Sequence, residues 1–125
     1  MTMNRVANKI APVSGAASGL GDAIARMLAR EGATVVLADV NDAAGARVLQ
    51  QIEGHGGTGA FVHLDVSLED HWVRAMDMIR QRFGRLDIAV NCAGLNVSRS
   101  FPSETTLEDW RRVLSVNLDG GYTTR

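Results

Sequence analysis

The chain has 125 residues, of which 46% are hydrophobic and 22% charged, and its 13 basic residues nearly balance its 14 acidic residues. This composition is typical of one globular domain, and a net charge of −1 argues against a surface that binds nucleic acid or an anionic membrane. No apolar run approaches the roughly 18 residues of a membrane-spanning helix, no secretory signal is recognisable, and the single cysteine cannot form an internal disulfide, so we expect a cytoplasmic location.

The first part of the chain predicts a strand, a helix and a second strand. Residues 9–14 are short and mostly apolar, residues 22–31 carry apolar side chains at helical spacing, and residues 34–38 are a continuous run of β-branched and apolar residues. Gly32 is expected to end the helix. Because Pro12 has no N–H for a strand ladder, either the first strand starts late or one hydrogen bond is missing there.

The alternation continues to the end of the chain. Residues 42–53 predict a helix, residues 60–64 a strand, residues 67–83 a helix opened by a near capping box of Ser67 and Asp70, residues 86–90 a strand, and residues 106–118 a last helix. Four strands alternating with four helices predict an α/β fold with a doubly wound parallel sheet. Ligands bind outside the carboxyl ends of such strands. The polar residues at those ends are Ser14, Asp39, Asp65 and Asn91.

A glycine-rich turn connects the first strand to the first helix. Gly15, Gly19 and Gly21 have the spacing G-x-x-x-G-x-G, with Ser18 and Leu20 between them. Gly15 permits a tight turn, Gly19 lets the backbone approach a pyrophosphate, and Gly21 lets the helix pack closely on the sheet, with helix N–H groups facing the anion. The turn lacks the lysine of a G-x-x-x-x-G-K-[ST] nucleotide loop. The alternative is that the turn is only a tight connection between the strand and the helix and binds no ligand.

Asp39 follows Gly21 by 18 positions and stands at the end of the second strand. A carboxylate there can accept hydrogen bonds from the ribose hydroxyls of adenosine, and it would repel a 2′-phosphate. No Arg or Lys stands at positions 18, 40 or 41 to neutralise such a phosphate. The sequence therefore predicts NAD rather than NADP, the alternative being that Asp39 only caps the next helix or turns the chain.

These residues resemble the short-chain dehydrogenase/reductase family, whose glycine motif has this spacing. Ser14 keeps the hydroxyl of the family's usual threonine, and Asn91-Cys92-Ala93-Gly94 corresponds to the family's Asn-Asn-Ala-Gly, with Cys92 as a departure. Asp65-Val66 looks like the family's adenine-contacting pair, and Asn117 matches its helix asparagine. The motifs occur in the family's order, and the similarity extends over essentially the whole chain.

The resemblance implies that residues 1–125 are an NAD-binding Rossmann domain, about half of the family fold, truncated within the helix that carries Asn117. Asp65 would accept from the adenine amino group while Val66 packs near the ring, and Asn117 would hold a water that relays protons to the active-site lysine. The alternatives are that Asp65 is only an acid at the end of a strand, and that Asn117 is a buried asparagine whose side chain satisfies backbone hydrogen-bonding groups. The implied cofactor-binding residues are Ser14, Gly15, Ser18, Gly19, Leu20, Gly21, Asp39, Asp65, Val66, Asn91, Ala93 and Gly94.

The implied reaction is hydride transfer between NAD(H) and an alcohol or carbonyl substrate. The family's serine and Tyr-x-x-x-Lys pair lie beyond Asn117, and Tyr122 has no lysine four positions later. Because general acid–base catalysis contributes roughly 10²–10⁴-fold, we expect the 125 residues alone to be inactive. The alternative, from another class, is a catalytically incompetent nucleotide-binding or interaction fragment. An open edge on the fourth strand would favour a homo-oligomer or pairing with a complementary fragment.

The remaining candidate residues favour structural roles. His55, His63 and His71 lack the paired spacing of a metal site, so no metal is implied and positions on the surface are expected. Cys92 is interpreted as a small buried filler because no histidine is placed locally to activate it. Trp72 and Trp110 lie at helical spacing with aliphatic residues and predict core packing. A methyltransferase is disfavoured because its usual turn is G-x-G-x-G.

Overall fold

The computed structural model describes residues 4–94, 107, 108 and 111. Residues 107, 108 and 111 are helical, as the predicted last helix requires, while Trp110 and Asn117 lie outside the described residues. Within residues 4–94 four strands alternate with three helices. They are β1 (Ile10–Ser14), α1 (Gly19–Arg30), β2 (Thr34–Asp39), α2 (Asp42–Gly54), β3 (Thr58–His63), α3 (Glu69–Phe83) and β4 (Val90–Asn91).

The four strands form one sheet in the order β3-β2-β1-β4, and every pair is parallel. Ser14 lies beside Ala38 at the end of β1, and Asp39 lies beside His63 at the ends of β2 and β3. Strand order reverses between β1 and β4, which is the point where open α/β sheets leave a crevice for a ligand. The predicted α/β fold with a doubly wound parallel sheet is confirmed.

Alternate residues of the central strands supply two separate cores. One face of the sheet packs against α1 and α2, and its buried members are Ala11, Val13, Val35, Leu37, Ala25, Val48 and Ile52. The other face packs against α3, with the buried members Ile10, Val36, Ala38, Trp72, Ala75 and Ile79. Residues 35–37 are fully buried, as predicted for a strand covered on both faces. Trp72 has the predicted core position.

Pro12 lies within β1 and explains why β4 is short. The strand does not start late, since all five of its residues are buried and paired with β2. The carbonyl groups of Ile10 and Ser14 both accept hydrogen bonds from residues 87–92, and residues two apart in a strand face the same neighbour. Pro12 therefore faces β4 without a donor. Only residues 90–91 of that neighbour are a strand, against the predicted 86–90.

Two predicted helix starts are wrong. α1 begins at Gly19 rather than at residue 22, because the last part of the glycine turn is already helical. α3 begins at Glu69 with Leu68 as its N-cap residue and no side-chain cap. Ser67 does not form the predicted capping box because its hydroxyl donates to the Asp65 carboxylate at 2.6 Å. None of the helices in the described part of the chain is long and apolar enough to span a membrane.

Candidate nucleotide-binding site

A cleft of about 520 Å³ lies at the carboxyl ends of the strands. Four segments line it: the glycine turn after β1, the end of β2, the residues that follow β3, and the residues that follow β4. The cleft brings together most of the predicted cofactor-binding positions, although they are far apart in the sequence. Those that line it are Gly15, Ser18, Gly19, Leu20, Gly21, Asp39, Asp65, Val66, Ala93 and Gly94.

The glycine turn is packed tightly on its inner side and open on its outer side. Gly15 has a left-handed φ of 70°, and a Cβ there would lie 2.7 Å from the backbone nitrogen of Ala93. A Cβ on Gly21 would lie 2.7 Å from the carbonyl carbon of Gly15. Gly19 also has a positive φ, of 56°, yet a Cβ there would meet no atom within 4 Å. The turn therefore presses against the strands and leaves the backbone at Gly19 accessible from the cleft.

The Asp39 carboxylate connects the end of β2 to the glycine turn. One oxygen, Oδ2, accepts a hydrogen bond from the Ala17 N–H at 3.0 Å, and Oδ1 accepts from the Asn41 N–H at 3.0 Å. The N-cap residue of α2 is Asn41, whose side chain accepts from the Ala44 N–H, so Asp39 does not cap that helix. A carboxylate offers about four acceptor positions, and Asp39 therefore retains capacity for hydroxyl donors at the edge of the cleft.

Asp65 is fixed by its own segment. Its Oδ1 accepts from both the N–H and the hydroxyl of Ser67, at 2.9 and 2.6 Å, and its N–H donates to Nδ1 of His71 at 2.9 Å. The Ser67 hydroxyl holds the pKa of Asp65 below its ordinary value of 3.8, against a smaller opposing effect of burial. Asp65 is therefore an ionised acceptor at neutral pH. Val66 is anchored beside it because its carbonyl accepts from the Trp72 indole N–H at 2.9 Å.

Ser14 and Asn91 do not line the cleft. They pair with each other in the sheet and line a smaller apolar cavity of about 60 Å³ on the α3 face. The Ser14 side chain is 4% exposed, and its hydroxyl donates to the Val90 carbonyl at 3.4 Å. Both residues thus connect β1 to β4.

Three features indicate one protein family: the order of the strands in the sheet, the glycine turn and the carboxylates at the strand ends. The family model for short chain dehydrogenase matches residues 9–124. The chain belongs to the short-chain dehydrogenase family. The chain is 40% identical over 116 residues to cyclopentanol dehydrogenase of Comamonas testosteroni, an alignment that covers 93% of this chain and 46% of that enzyme.

Other short-chain dehydrogenases show the same relationship. Identity is 38% with trans-4-hydroxycyclohexanecarboxylate dehydrogenase of Sinomonas cyclohexanicum, over 95% of this chain and 48% of that enzyme. The crystal structure of a dehydrogenase/reductase from Sinorhizobium meliloti 1021 superposes with a TM-score of 0.88 at 36% identity, over 94% of this chain and 47% of that one. The chain spans about half the length of the curated relatives that it matches.

The cleft also contains residues that the sequence patterns did not indicate. They are Val40, Leu64, Ser67 and Cys92. Val40 and Ser67 could have been found as neighbours of the two strand-end acids, whereas Leu64 carries no local signal. Cys92 is half-buried and lines the cleft, so its interpretation as a buried filler is wrong.

His55 and His63 are exposed, as predicted, whereas His71 is half-buried. His71 accepts from the Asp65 N–H, and His63 contacts the Asp42 carboxylate at 2.6 Å. The rings of His63 and His71 lie edge to face at 5.6 Å. Among the described residues no group of three or more His, Cys, Asp or Glu side chains is arranged to hold a metal ion.

Proposed function

We propose that residues 1–125 are the NAD-binding Rossmann domain of an NAD(H)-dependent dehydrogenase or reductase. The reaction we assign to the whole protein is hydride transfer between the cofactor and an alcohol or carbonyl group of a small molecule. The observation that carries this proposal is the position of the Asp39 carboxylate, which is hydrogen-bonded to the glycine turn at the edge of the cleft.

The residues of the cleft fit a dinucleotide. The N–H groups of residues 15–17 are used within the protein, by the Ala38 carbonyl and by Asp39. The first N–H groups of α1, which begins at Gly19, have no partner within the helix and carry its positive dipole end. These groups are suited to the diphosphate, and the open space at Gly19 allows the close approach that a Cβ would prevent.

The other predicted positions fit the adenosine half. Asp39 would accept from ribose hydroxyls, and Asp65 would accept from the amino group of adenine, with Val66 against the ring. Ala93 and Gly94 also line the cleft. When bound, NAD supplies the hydride donor or acceptor, while these residues bind and orient it.

Charge favours NAD over NADP. Two carboxylates line the cleft, and no Lys or Arg is among the described residues that line it. A 2′-phosphate near Asp39 would meet a negative charge with no cation to neutralise it. Arg26, on the helix that follows the glycine turn, is paired with Asp22 at 2.5 Å and lies outside the cleft.

The catalytic step is assigned to the whole enzyme rather than to these residues. Asn117, predicted to hold a proton-relaying water, lies outside the described residues. Both named relatives are dehydrogenases of ring alcohols by name, which supports the alcohol or carbonyl substrate class. We expect the 125 residues taken alone to bind NADH without oxidising it, because they include no Tyr-x-x-x-Lys pair.

Titration calorimetry with NADH and NADPH tests the proposal. The wild-type chain should bind NADH at least about tenfold more tightly than NADPH, equivalent to about 1.4 kcal/mol. Asp39→Asn keeps the shape of the side chain, removes its charge and replaces one of the two oxygens that accept from backbone N–H groups, so it should weaken NADH binding and reduce the preference over NADPH. Asp42→Asn is the matched control, since Asp42 is an exposed acid three residues away that does not line the cleft. Equal affinity of the wild type for both nucleotides would contradict the choice of cofactor.

A further inference from the structure

The Asp65 carboxylate is held asymmetrically. Two donors of Ser67, its N–H and its hydroxyl, converge on Oδ1. Among the described residues no donor reaches Oδ2. The side chain therefore has one oxygen engaged by Ser67 and a second oxygen that no described residue engages, and both Asp65 and Ser67 line the cleft.

The Ser67 hydroxyl is committed to this contact rather than to helix capping. Serine just before a helix ordinarily caps it, yet α3 has Leu68 at the N-cap position and no side-chain cap. The distance of 2.6 Å between Oγ of Ser67 and Oδ1 of Asp65 is that of a charge-assisted hydrogen bond, which is about twice as strong as a neutral one. The hydroxyl thus restricts rotation of the carboxylate.

A second contact fixes the main chain at the same position. The Asp65 N–H donates to Nδ1 of His71, on the first turn of α3, and the carbonyl of Val66 accepts from Trp72 on the same turn. The backbone of residues 65–66 is therefore tied to α3, and rotation of the Asp65 side chain is the motion that Ser67 controls.

We propose that Ser67 is a positioning residue that fixes Asp65, so that the cleft selects a 6-aminopurine over a 6-oxopurine. This inference rests on the proposed nucleotide function of the cleft. A fixed carboxylate oxygen accepts from the exocyclic amino group of adenine, whereas the 6-oxo group of hypoxanthine would present an acceptor to the same oxygen. A carboxylate that rotates freely can turn away from that acceptor toward the neighbouring ring N–H, and discrimination between the two bases is then lost.

The test compares NADH with reduced nicotinamide hypoxanthine dinucleotide, in which an oxo group replaces the 6-amino group of the purine and the adjacent ring nitrogen N1 carries a hydrogen. Calorimetry is performed on the full chain as wild type, Ser67→Ala and Ser67→Thr. The wild type should prefer NADH at least about tenfold, Ser67→Ala should reduce the preference to about threefold or less, and Ser67→Thr, which keeps the hydroxyl, should restore it. Wild-type preference in Ser67→Ala would overturn the proposal.

The outcomes separate this proposal from the one on which it rests. If the wild type binds neither dinucleotide, the nucleotide function is wrong. If it binds both equally, Asp65 does not distinguish the two purines and only the positioning role fails.

An NMR titration of the Asp65 carboxyl carbon gives a readout without a ligand. The pH midpoint of this titration should rise in Ser67→Ala and stay at the wild-type value in Ser67→Thr. Should Ser67→Ala not fold, Ser67→Cys, a weaker donor of similar size, should show the same loss of preference, and an unchanged preference there would refute the role.

Discussion

Gly21 lies so close to Gly15 that no side chain fits between them. A Cβ on Gly21 would be 2.7 Å from the carbonyl carbon of Gly15, and real Cβ atoms essentially never approach other atoms within 3.0 Å. Gly15 belongs to the turn after β1 and Gly21 to the first turn of α1. Because both partners are backbone, neither can move without displacing the helix that would receive the diphosphate.

Gly21→Ala should therefore destabilise the domain. We expect a loss of about 1–3 kcal/mol in the free energy of unfolding, since the extra methyl group forces a backbone shift. Gly54→Ala is the control: Gly54 ends α2, and a Cβ there would meet no atom within 4 Å. The control should be neutral or stabilising by up to about 1 kcal/mol. Urea unfolding followed by circular dichroism measures both, and equal effects would contradict this packing argument.

Gly19→Ala should separate binding from stability. A Cβ at Gly19 would not collide with the protein, but the φ of 56° costs an alanine about 1–2 kcal/mol. The methyl group would occupy the space that we assign to the approaching diphosphate. We expect modest destabilisation together with a loss of NADH affinity of at least about tenfold, measured by calorimetry under conditions where the variant is folded. Unchanged affinity would place the diphosphate elsewhere.

The contact between α2 and β3 predicts a coupled pair of substitutions. A Cβ on Gly45 would lie 2.8 Å from Cζ of Phe61 and closer to other carbons of that ring. Gly45→Ala should destabilise the domain by about 1–2 kcal/mol despite the better helix propensity of alanine. In a Phe61→Leu background, where the ring is absent, the same change should be neutral or favourable. Urea unfolding of the wild type, the two single variants and the double variant gives the coupling energy. If the effects of the two substitutions on the free energy of unfolding simply add, the ring can move aside.

Acid should weaken the contact that anchors the start of β1. The Asp87 carboxylate accepts from the Ile10 N–H at 2.8 Å and from Nε of Arg85 at 3.0 Å. The hydrogen bond from Ile10 lowers the pKa of Asp87 below its ordinary value of 3.8, so the folded state holds this proton less tightly than the unfolded state. The stabilisation is present above about pH 4 and is lost as the pH falls through the folded-state value.

Asp87→Asn isolates this effect, because the amide keeps an acceptor oxygen and cannot titrate. The difference in unfolding free energy between the wild type and Asp87→Asn should be constant from pH 7 to pH 5 and should decrease below pH 4. Urea unfolding at each pH measures it. A difference that grows as the pH falls would show that the sign assigned to the Asp87 pKa is wrong.

Much of the fold follows from local patterns. The buried run of β2, the helical spacing of α1 and α2, and glycines after strands and helices predict the alternation and therefore the parallel sheet. Asp39 and Asp65 could be placed at one edge because the carboxyl ends of parallel strands share it. The length of β4 could not be predicted in this way. It depends on which side of β1 the missing N–H of Pro12 faces, and that depends on strand order.

The site was less predictable where one residue could serve two partners. The spacing of Ser67 and Asp70 indicates a capping box, and only the three-dimensional contact shows that the Ser67 hydroxyl serves Asp65 instead. Gly45 carries no signal in the sequence because its close neighbour, the Phe61 ring, comes from another element. The contact of Gly45 joins two elements, whereas the contact of Ser67 lies within the loop before α3, and in both cases the contact overrides the local pattern.

The position of the nucleotide tests the central claim most directly. Amide chemical-shift mapping of the 125-residue chain during titration with NADH should perturb residues 15–21, 39–41, 65–67 and 92–94, which surround the cleft. A second cleft between α1 and α2, lined in part by Arg26, Arg30 and His55, provides the internal comparison. We expect those residues to remain unperturbed. Shifts concentrated in that second cleft, with residues 15–21 unaffected, would contradict a nucleotide site at the glycine turn.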